Sequence, residues 1–276
     1  MTPPVVLTIA GSDSGGGAGM QADLKTFAAL GVHGTCAVTA VTAQNTVGVV
    51  AIHSPPASFL TAQLDAVLSD FSVQATKTGF LATADNIATV VAHAERLGRL
   101  VVDPVMVSSR GDRIVSEGTQ HAYMVTLFPR ATLITPNARE AAMLLGRSVT
   151  TIDELQEAAR ALHSFGPTVV VVKGGGLSGK ESIDAVFDGT SDWLLRVPRV
   201  VTPNNHGTGC SFSAATVAYL ALGFSTADAL RAAKEYVTAG LLASAAWRLG
   251  AGHGPIDHMH RDRSQMPQSR DAQPPS

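Results

Sequence analysis

The chain has 276 residues, a formal net charge of −2, 45% hydrophobic residues and only 15% charged residues. This composition suits an α/β protein whose central strands are covered on both faces. The sequence has no basic stripe, which excludes nucleic acid as a partner, and no segment long and apolar enough to suggest a membrane partner. Its two cysteines provide no disulfide framework and fit a reducing compartment, so we expect a cytoplasmic protein.

Strand-like and helix-like segments alternate along the chain. Strands are predicted at 5–10, 35–41, 73–78, 100–105, 131–135, 168–173, 183–187 and 193–200. Helices are predicted at 20–30, 57–70, 84–97, 138–145, 152–164, 208–222 and 226–248. The alternation predicts a three-layer α/β fold, in which a central, mostly parallel sheet has helices on both faces. A turn at Asp188-Gly189 between two of the strands predicts an antiparallel edge.

The sequence predicts one domain followed by a tail. No linker interrupts residues 1–256, which we expect to form a single domain. From residue 257 the sequence is polar and contains proline, and it has no apolar run. Such a composition cannot bury enough apolar surface to offset the entropy of ordering, so residues 257–276 are predicted to be a disordered tail.

The first predicted strand runs into a glycine-rich segment, residues 11–19, hereafter the glycine loop. It holds five glycines in nine residues, beginning with Gly11. It lacks the Gly-Lys-Ser/Thr ending of a Walker loop and the Rossmann spacing. A plain flexible connection is one interpretation. The density of glycine favours the other, a loop that closes over a substrate.

A second glycine-rich segment, residues 207–210, hereafter the anion turn, comes directly before a long run of small and apolar residues. Gly207, Thr208 and Gly209 form a turn that opens into the predicted helix 208–222. The unpaired N–H groups and the dipole at a helix N-terminus attract anions, as a transferred phosphoryl group requires. A thiolate at Cys210 would also be favoured there. The alternative is an ordinary helix start with a small buried cysteine.

Four polar residues follow predicted strands, where ligands of open α/β sheets bind. Asp103 lies at the end of 100–105, and Lys173 ends an apolar strand, where phosphate pairing is favoured over a plain surface charge. Asn137 and Glu140 have the spacing of a helix cap, which would face the same crevice.

Taken in order, these motifs resemble those of the hydroxymethylpyrimidine/phosphomethylpyrimidine kinases of thiamine biosynthesis, which belong to the ribokinase-like superfamily. The segment AGSDSGGGAGMQADLKTFAALGVHG carries the strongest similarity. The similarity continues through residues 40–46, 77–79, 103–107, 135–140, 172–175, 206–210 and 252–255. It covers residues 5–256, which makes it far more specific than any single motif.

The resemblance implies a ribokinase-like fold and an ATP-dependent kinase that acts on 4-amino-5-hydroxymethyl-2-methylpyrimidine and its monophosphate, with ATP and Mg²⁺ as cofactors. We also expect a homodimer. The implied catalytic residues are Gly207, Thr208, Gly209 and Cys210, with Cys210 beside the reacting hydroxyl, where the wider superfamily has an aspartate base. The implied pyrimidine-binding residues are Gly11, Asp23, Gln44, Phe80 and Val107. The implied nucleotide-binding residues are Asp103, Asn137, Glu140 and Lys173, of which Asp103 and Glu140 also reach Mg²⁺, in part through water.

Two other functions fit the same fold. A pyridoxal or pyridoxine kinase shares it, but Gln44 and the triple glycine of the glycine loop favour the pyrimidine kinase. A catalytically silent ligand-binding protein would not need Asp103, Glu140 and the anion turn together. The chain departs from the family pattern at Phe80, where methionine is common, and at Pro203, Asn205 and Gly176.

Overall fold

A nine-stranded sheet organises the computed structural model, which describes residues 2–108 and 111–260. The strands are β1 (Val5–Asp13), β2 (His33–Asn45), β3 (Gly48–His53), β4 (Val73–Thr78), β5 (Arg99–Val102), β6 (Leu133–Ile134), β7 (Val169–Lys173), β8 (Glu181–Phe187) and β9 (Asp192–Pro198). Their order is β3-β2-β1-β4-β5-β6-β7-β8-β9. The six strands from β2 to β7 in this order are parallel. The predicted antiparallel edge, β8 and β9, is confirmed.

Helices cover both faces of this sheet. They are α1 (Gly19–Ala29), α2 (Ala57–Asp70), α3 (Ala84–Ala92), α4 (Glu117–Ala122), α5 (Ala138–Leu145), α6 (Ile152–His163), α7 (Thr208–Ala221) and α8 (Thr226–Ser244). Short helical turns occupy Ala94–Arg96, Tyr123–Leu127 and Phe128–Arg130. One core joins the sheet to α1, α7 and α8, and the other joins it to α2–α6. Val101 and Val102 point into different cores because successive residues of a strand face opposite sides.

Several predicted boundaries are wrong in detail. The predicted helix 84–97 ends at Ala92, and the predicted helix 226–248 ends at Ser244. Strand β3 was not predicted. It pairs antiparallel with β2 at the other edge of the sheet and leaves most of its side chains exposed, so its sequence lacks the buried face that identifies a strand. Strand β1 extends to Asp13, three residues into the glycine loop.

The beginning of the predicted tail is also corrected. Asp257 and His258 are buried, and the backbone N–H of Asp257 donates to the Gly240 carbonyl at 3.2 Å. The Tyr236 hydroxyl donates to the His258 carbonyl at 2.6 Å. Residues 257–260 therefore pack on α8, because their polar groups find partners there that composition does not reveal. Residues 261–276 of the predicted tail lie outside the described residues.

Because β1, β4, β5 and β7 are parallel, their carboxyl ends lie together at one end of the sheet, away from its lateral edges β3 and β9. The chain continues from these ends into the glycine loop, Gly79, Asp103 and Gly174. No helix of the described residues has the length and apolar character needed to cross a membrane.

Candidate active site

The glycine loop and the anion turn contact each other at the carboxyl ends of these strands. Gly207 caps α7 with a φ of +80°, a conformation that side chains disfavour. A Cβ atom at Gly207 would collide with the carbonyl oxygen of Gly17, and one at Gly17 would lie 2.6 Å from Cδ2 of His206. Only glycine permits this approach, so the structure brings the glycine loop and the anion turn together into one site.

Asp13, which sequence reasoning missed, organises the glycine loop. Its Oδ1 accepts a hydrogen bond from the N–H of Gly15 at 2.8 Å, and its Oδ2 accepts from the N–H groups of Gly17 at 3.0 Å and Ala18 at 2.8 Å. His206 Nε2 lies 3.0 Å from the same Oδ2. Burial opposes ionisation, but these hydrogen bonds outweigh it and lower the pKa of Asp13 to about 2. An aspartate just before a run of glycines was the available signal, since such residues commonly cap their own turn.

The anion turn presents the start of α7 to the site. Gly207 provides no side-chain cap, and the Thr208 N–H donates to the Asn205 carbonyl at 3.3 Å, so the N–H groups that follow, from Gly209 onwards, are the ones left for a ligand. Thr208 Oγ1 donates to the Asn205 carbonyl at 2.6 Å and is thereby held within the turn. A Cβ atom at Gly209 would lie 3.1 Å from Lys173 Nζ. The Lys173 ammonium group therefore lies directly beside the anion turn.

Cys210 lies in the first turn of α7, and burial there opposes the thiolate that the sequence suggests. Burial raises the pKa of its thiol to about 11, and the charges of Asp23 and Asp103 act in the same direction. Lys77 opposes them without reversing the shift. The N-terminal position favours a thiolate, but burial outweighs it, so the thiol is neutral near pH 7.

Lys173 pairs with Asp103. Its Nζ lies 2.8 Å from Asp103 Oδ1, and Asp103 also accepts hydrogen bonds from Thr135 Oγ1 and Ser213 Oγ, both at 3.2 Å. Burial works against the charge of Lys173, but Asp103 and Glu140 raise its pKa and keep it protonated. The anion that this lysine meets in the structure is thus a carboxylate, and a phosphate would have to share it.

Asn137 and Glu140 form a complete capping box at the start of α5. Asn137 Oδ1 accepts from the N–H groups of Arg139 and Glu140 at 2.9 and 3.0 Å, and Glu140 Oε2 accepts from the Asn137 N–H at 2.8 Å. Glu140 is 3% exposed, and burial raises its pKa to about 8 in spite of the nearby Lys173. The cap confirms one of the two predicted roles and places a carboxyl group near Asp103 and Lys173.

Gln44 lies on β2 beside the junction of the two glycine segments. Its Nε2 is 3.4 Å from His206 Nε2, and its Oε1 is 3.3 Å from Thr42 Oγ1. Both separations are long for hydrogen bonds, so the amide keeps much of its capacity for a ligand. On the same side, a Cβ atom at Gly11 would lie 3.1 Å from Cδ1 of Phe80, so these two residues are neighbours.

The structure places Asp23 away from the predicted pyrimidine contact. Asp23 is fully buried, with both oxygens 2.8 Å from Lys77 Nζ and Oδ2 2.6 Å from Thr8 Oγ1. It lies beneath the site and has no surface for a substrate, because α1 turns this side chain towards the sheet. Val107 lies in the loop after β5, where it forms an isolated bridge with Arg113.

The carboxylates do not form a preformed inner-sphere metal site. Within residues 2–108 and 111–260, no cluster of three or more His, Cys, Asp or Glu side chains can hold a metal ion. Asp103 and Glu140 already accept hydrogen bonds and are nearly buried. Mg²⁺ retains several waters in most protein sites, so these two residues fit a hydrated ion held through its waters.

Comparison with known proteins places this arrangement in a family. Residues 13–257 match the phosphomethylpyrimidine kinase family. The chain is 46% identical over 261 residues to the hydroxymethylpyrimidine/phosphomethylpyrimidine kinase of Rhizobium meliloti, covering 93% of this chain and 97% of that protein.

Solved structures agree with this result. The pyridoxal kinase of Staphylococcus aureus in complex with AMP-PCP and pyridoxal superimposes with a TM-score of 0.87 at 35% identity, covering 95% of this chain and 96% of that one. The phosphomethylpyrimidine kinase of Clostridium difficile gives a TM-score of 0.75 at 35% identity, covering 85% and 98%. The predicted ribokinase-like fold is therefore confirmed, and the chain belongs to the phosphomethylpyrimidine kinase family of phosphotransferases.

Proposed function

We propose that this kinase transfers the terminal phosphoryl group of ATP to the hydroxymethyl oxygen of 4-amino-5-hydroxymethyl-2-methylpyrimidine, and then phosphorylates the monophosphate to the diphosphate used in thiamine biosynthesis. The observation that carries the proposal is the contact between Gly17 and Gly207. This contact joins the anion turn to the glycine loop. Gln44 lies next to His206, just before the anion turn. The ion pair of Asp103 and Lys173 lies next to Gly209, within the anion turn.

Phosphoryl transfer depends chiefly on positioning and on stabilising the charge of the transferred group. The N–H groups at the start of α7 receive the equatorial oxygens, and Lys173 adds a positive charge beside Gly209. In a loose transition state the substrate hydroxyl keeps its proton until late in the reaction, so a strong base is not needed early. The neutral Cys210 thiol therefore suits a hydrogen-bonding role at the substrate hydroxyl.

On the nucleotide side, Asp103 and Glu140 would hold a hydrated Mg²⁺ through its waters, and Asn137 fixes Glu140 through the cap. The ion, when bound, neutralises phosphate charge. A cation near Glu140 favours its ionised form and so lowers a pKa that burial raises to about 8.

On the acceptor side, the amide of Gln44 both donates and accepts, which matches the exocyclic amine and ring nitrogen of an aminopyrimidine. Gly11, Phe80 and Val107 form the apolar wall. Asp23 contributes from below by holding Lys77, without contact to the substrate.

Pyridoxal is the second candidate substrate, because the Staphylococcus aureus kinase of the same fold was solved with pyridoxal bound. The pyrimidine is favoured by the greater identity to the Rhizobium meliloti enzyme. A ligand-binding protein without turnover would have no use for the assembled anion turn and Lys173.

A substrate panel tests the proposal. ATP is offered with the hydroxymethylpyrimidine, its monophosphate, pyridoxal and pyridoxine, and turnover of the first two is expected. Gln44→Ala removes hydrogen bonds worth about 1–3 kcal/mol, so calorimetry should find weaker pyrimidine binding and unchanged ATP binding. Gln74→Ala, which changes an amide that bonds Val5 at the far end of β1, is the matched control. Turnover of pyridoxal alone, or unchanged pyrimidine affinity in Gln44→Ala, overturns the proposal.

The same proposal includes a cytoplasmic homodimer. Cys36 and Cys210 are both free, as a reducing compartment requires. Strand β3 has an unpaired edge, and its Val50 is 83% exposed. Edge strands of this kind pair readily with a second chain, so two copies of β3 can align antiparallel about a two-fold axis. Val50→Lys should then reduce the mass measured by light scattering from that of a dimer to that of a monomer, and an unchanged dimer would exclude this interface.

A further inference from the structure

Residues 254–260, hereafter the C-terminal strap, cross behind the anion turn. The N–H of His206 donates to the Gly254 carbonyl at 3.0 Å, and Pro255 forms a parallel bridge with His206. A Cβ atom at Gly17 would lie 3.2 Å from Cβ of Pro255. The first half of the strap thus contacts the glycine loop and His206, the residue that precedes the anion turn.

The second half of the strap is anchored on α8. The Asp257 N–H donates to Gly240 and the Tyr236 hydroxyl donates to His258, as described above. The family match ends at residue 257, so the last residues of this strap lie beyond it. His258 is nevertheless buried, at 4% exposure.

A short chain of hydrogen bonds links His258 to the anion turn. His258 Nε2 lies 3.0 Å from Ser211 Oγ, and Ser211 Oγ donates to the Gly207 carbonyl at 2.9 Å. A serine hydroxyl has one hydrogen, which this bond uses. With this hydrogen on the Gly207 carbonyl, His258 would donate from Nε2 to Ser211 Oγ.

The electrostatics of His258 favour an uncharged ring. Burial, together with the positive charges of Lys25, His260 and His206, lowers its pKa to about 4. The ring is therefore neutral near pH 7 and carries a single N–H. The hydrogen-bond chain from Nε2 through Ser211 to Gly207 uses that N–H.

We propose that the C-terminal strap positions the anion turn, with His258 acting through Ser211 on the Gly207 carbonyl. The Gly207 carbonyl and the Thr208 N–H belong to one rigid peptide plane. Holding the oxygen therefore fixes the plane from which the first turn of α7 starts. The Ser211 N–H also donates to this carbonyl, at 2.8 Å, so Ser211 holds the oxygen through both its backbone and its hydroxyl, and His258 orients the hydroxyl.

The consequence for catalysis rests on the proposed function, because it assumes that the anion turn receives a phosphoryl group. His258 is a positioning residue: it contacts Ser211 and no reacting atom. Its loss should leave the substrates bound but the N–H groups of α7 less well aimed, which lowers kcat more than it raises KM.

The test uses the full chain with four variants: His258→Leu, His258→Gln, Ser211→Ala and the double variant His258→Leu/Ser211→Ala. Deuterium exchange of residues 205–212 is measured without substrates, and kcat and KM are measured with ATP and the hydroxymethylpyrimidine. His258→Leu should speed exchange in 205–212 and lower kcat about 10-fold, less than the 10²-fold or greater loss that removal of a donor causes. His258→Gln, whose amide N–H has a similar reach, should restore both.

The double variant should be no worse than the more affected single variant, because both changes break one chain of hydrogen bonds. His260→Ala is the matched control: this strap residue contacts the Asp257 carbonyl and not Ser211, so exchange in 205–212 should not change. If His258→Leu does not fold, Ser211→Ala carries the test alone.

Unchanged exchange in 205–212 for His258→Leu or Ser211→Ala overturns the proposal, as does an additive loss of kcat in the double variant. A wild-type protein without activity on the pyrimidine, but with the expected change in exchange, would refute the proposed substrate and leave the positioning role standing.

Discussion

Asp23 and Lys77 carry opposite charges at a place that water does not reach. Each carboxylate oxygen of Asp23 is 2.8 Å from the lysine nitrogen, and both side chains are fully buried. Breaking such a pair leaves an uncompensated charge, which typically costs about 3–5 kcal/mol. The pair therefore stabilises the part of the fold that lies beneath the site.

We expect Asp23→Ala to lower the free energy of unfolding by about 3–5 kcal/mol, since Lys77 would lose its partner. Asp23→Leu/Lys77→Met should recover part of this loss, because it removes both charges. Urea unfolding measures the stabilities, and KM for the pyrimidine is measured on the folded fraction. A raised KM at unchanged stability would instead make Asp23 a substrate contact.

Cys210 poses a different question, that of protonation. Because burial raises the pKa of its thiol to about 11, a thiolate is nearly absent at neutral pH. We expect Cys210→Ser to keep the wild-type shape of the profile of kcat against pH between about pH 6 and 9, where neither group ionises. A rise in wild-type kcat near pH 8 that the serine variant lacks would show that a thiolate is the base.

At the scale of elements, Gly207 and Gly209 of the anion turn differ in the backbone conformation that each adopts. Gly207 has a positive φ and contacts the glycine loop, whereas Gly209 lies inside the helix with helical geometry. Alanine at 207 should therefore destabilise the protein through the collision with Gly17. Alanine at 209 suits the helix and disturbs only Lys173 Nζ, 3.1 Å away.

Gly209→Ala should accordingly keep or raise the melting temperature, since alanine is about 1 kcal/mol better than glycine in a helix. It should lower kcat, by up to about 10²-fold if the crowded N–H groups lose their aim. Thermal melting and steady-state kinetics on one preparation separate the two effects. A lowered melting temperature with normal kcat would reduce the anion turn to a structural feature.

A second capping box, Thr151 with Glu154, begins α6, and it differs from the one at the start of α5 mainly in burial. Glu140 in α5 is buried and has its pKa raised to about 8, whereas the exposed Glu154 in α6 has its pKa lowered by hydrogen bonds from Thr150 and Thr151. A raised folded-state pKa stabilises the protein only while the group is protonated. A lowered pKa stabilises it only while the group is ionised.

The stability due to neutral Glu140 is complete below the pKa of an unfolded glutamate and is lost as the pH rises towards 8. Glu140→Gln stays neutral, so its melting temperature relative to wild type should increase from about pH 5 to pH 9. Glu154→Gln should behave in the opposite way, with its deficit shrinking as the pH falls. Parallel pH dependences for the two variants would contradict the difference in burial.

At the scale of the whole molecule, the site lies where four parallel strands, the glycine loop and the start of α7 meet, so a nucleotide contacts elements that are distant in sequence. A ligand at about 100 times its Kd stabilises the native state by about 2.7 kcal/mol. We expect saturating AMP-PCP with Mg²⁺ to raise the melting temperature by about 5–10 °C for a chain of this size. Lys173→Met should reduce the shift, and an equal shift in that variant would place the nucleotide elsewhere.

The sequence by itself determined the order of the elements apart from β3 and α4, the parallel sheet with its β8–β9 edge, and the two glycine segments. These depend on local patterns: apolar runs of strand length, caps such as Asn137 with Glu140, and glycines that mark sharp turns. Motifs of this kind can be recognised in the sequence alone, because the interactions that require them join residues that are close together in the chain.

Only the tertiary structure decided what each polar group experiences. It buried Asp23 against Lys77, raised the pKa of Cys210 to about 11, and folded His258 behind the anion turn. It also added β3, whose exposed side chains carry no periodic signal. Protonation and partner choice depend on charges and desolvation from residues far away in the chain, and these become neighbours only when the sheet brings its strand ends together.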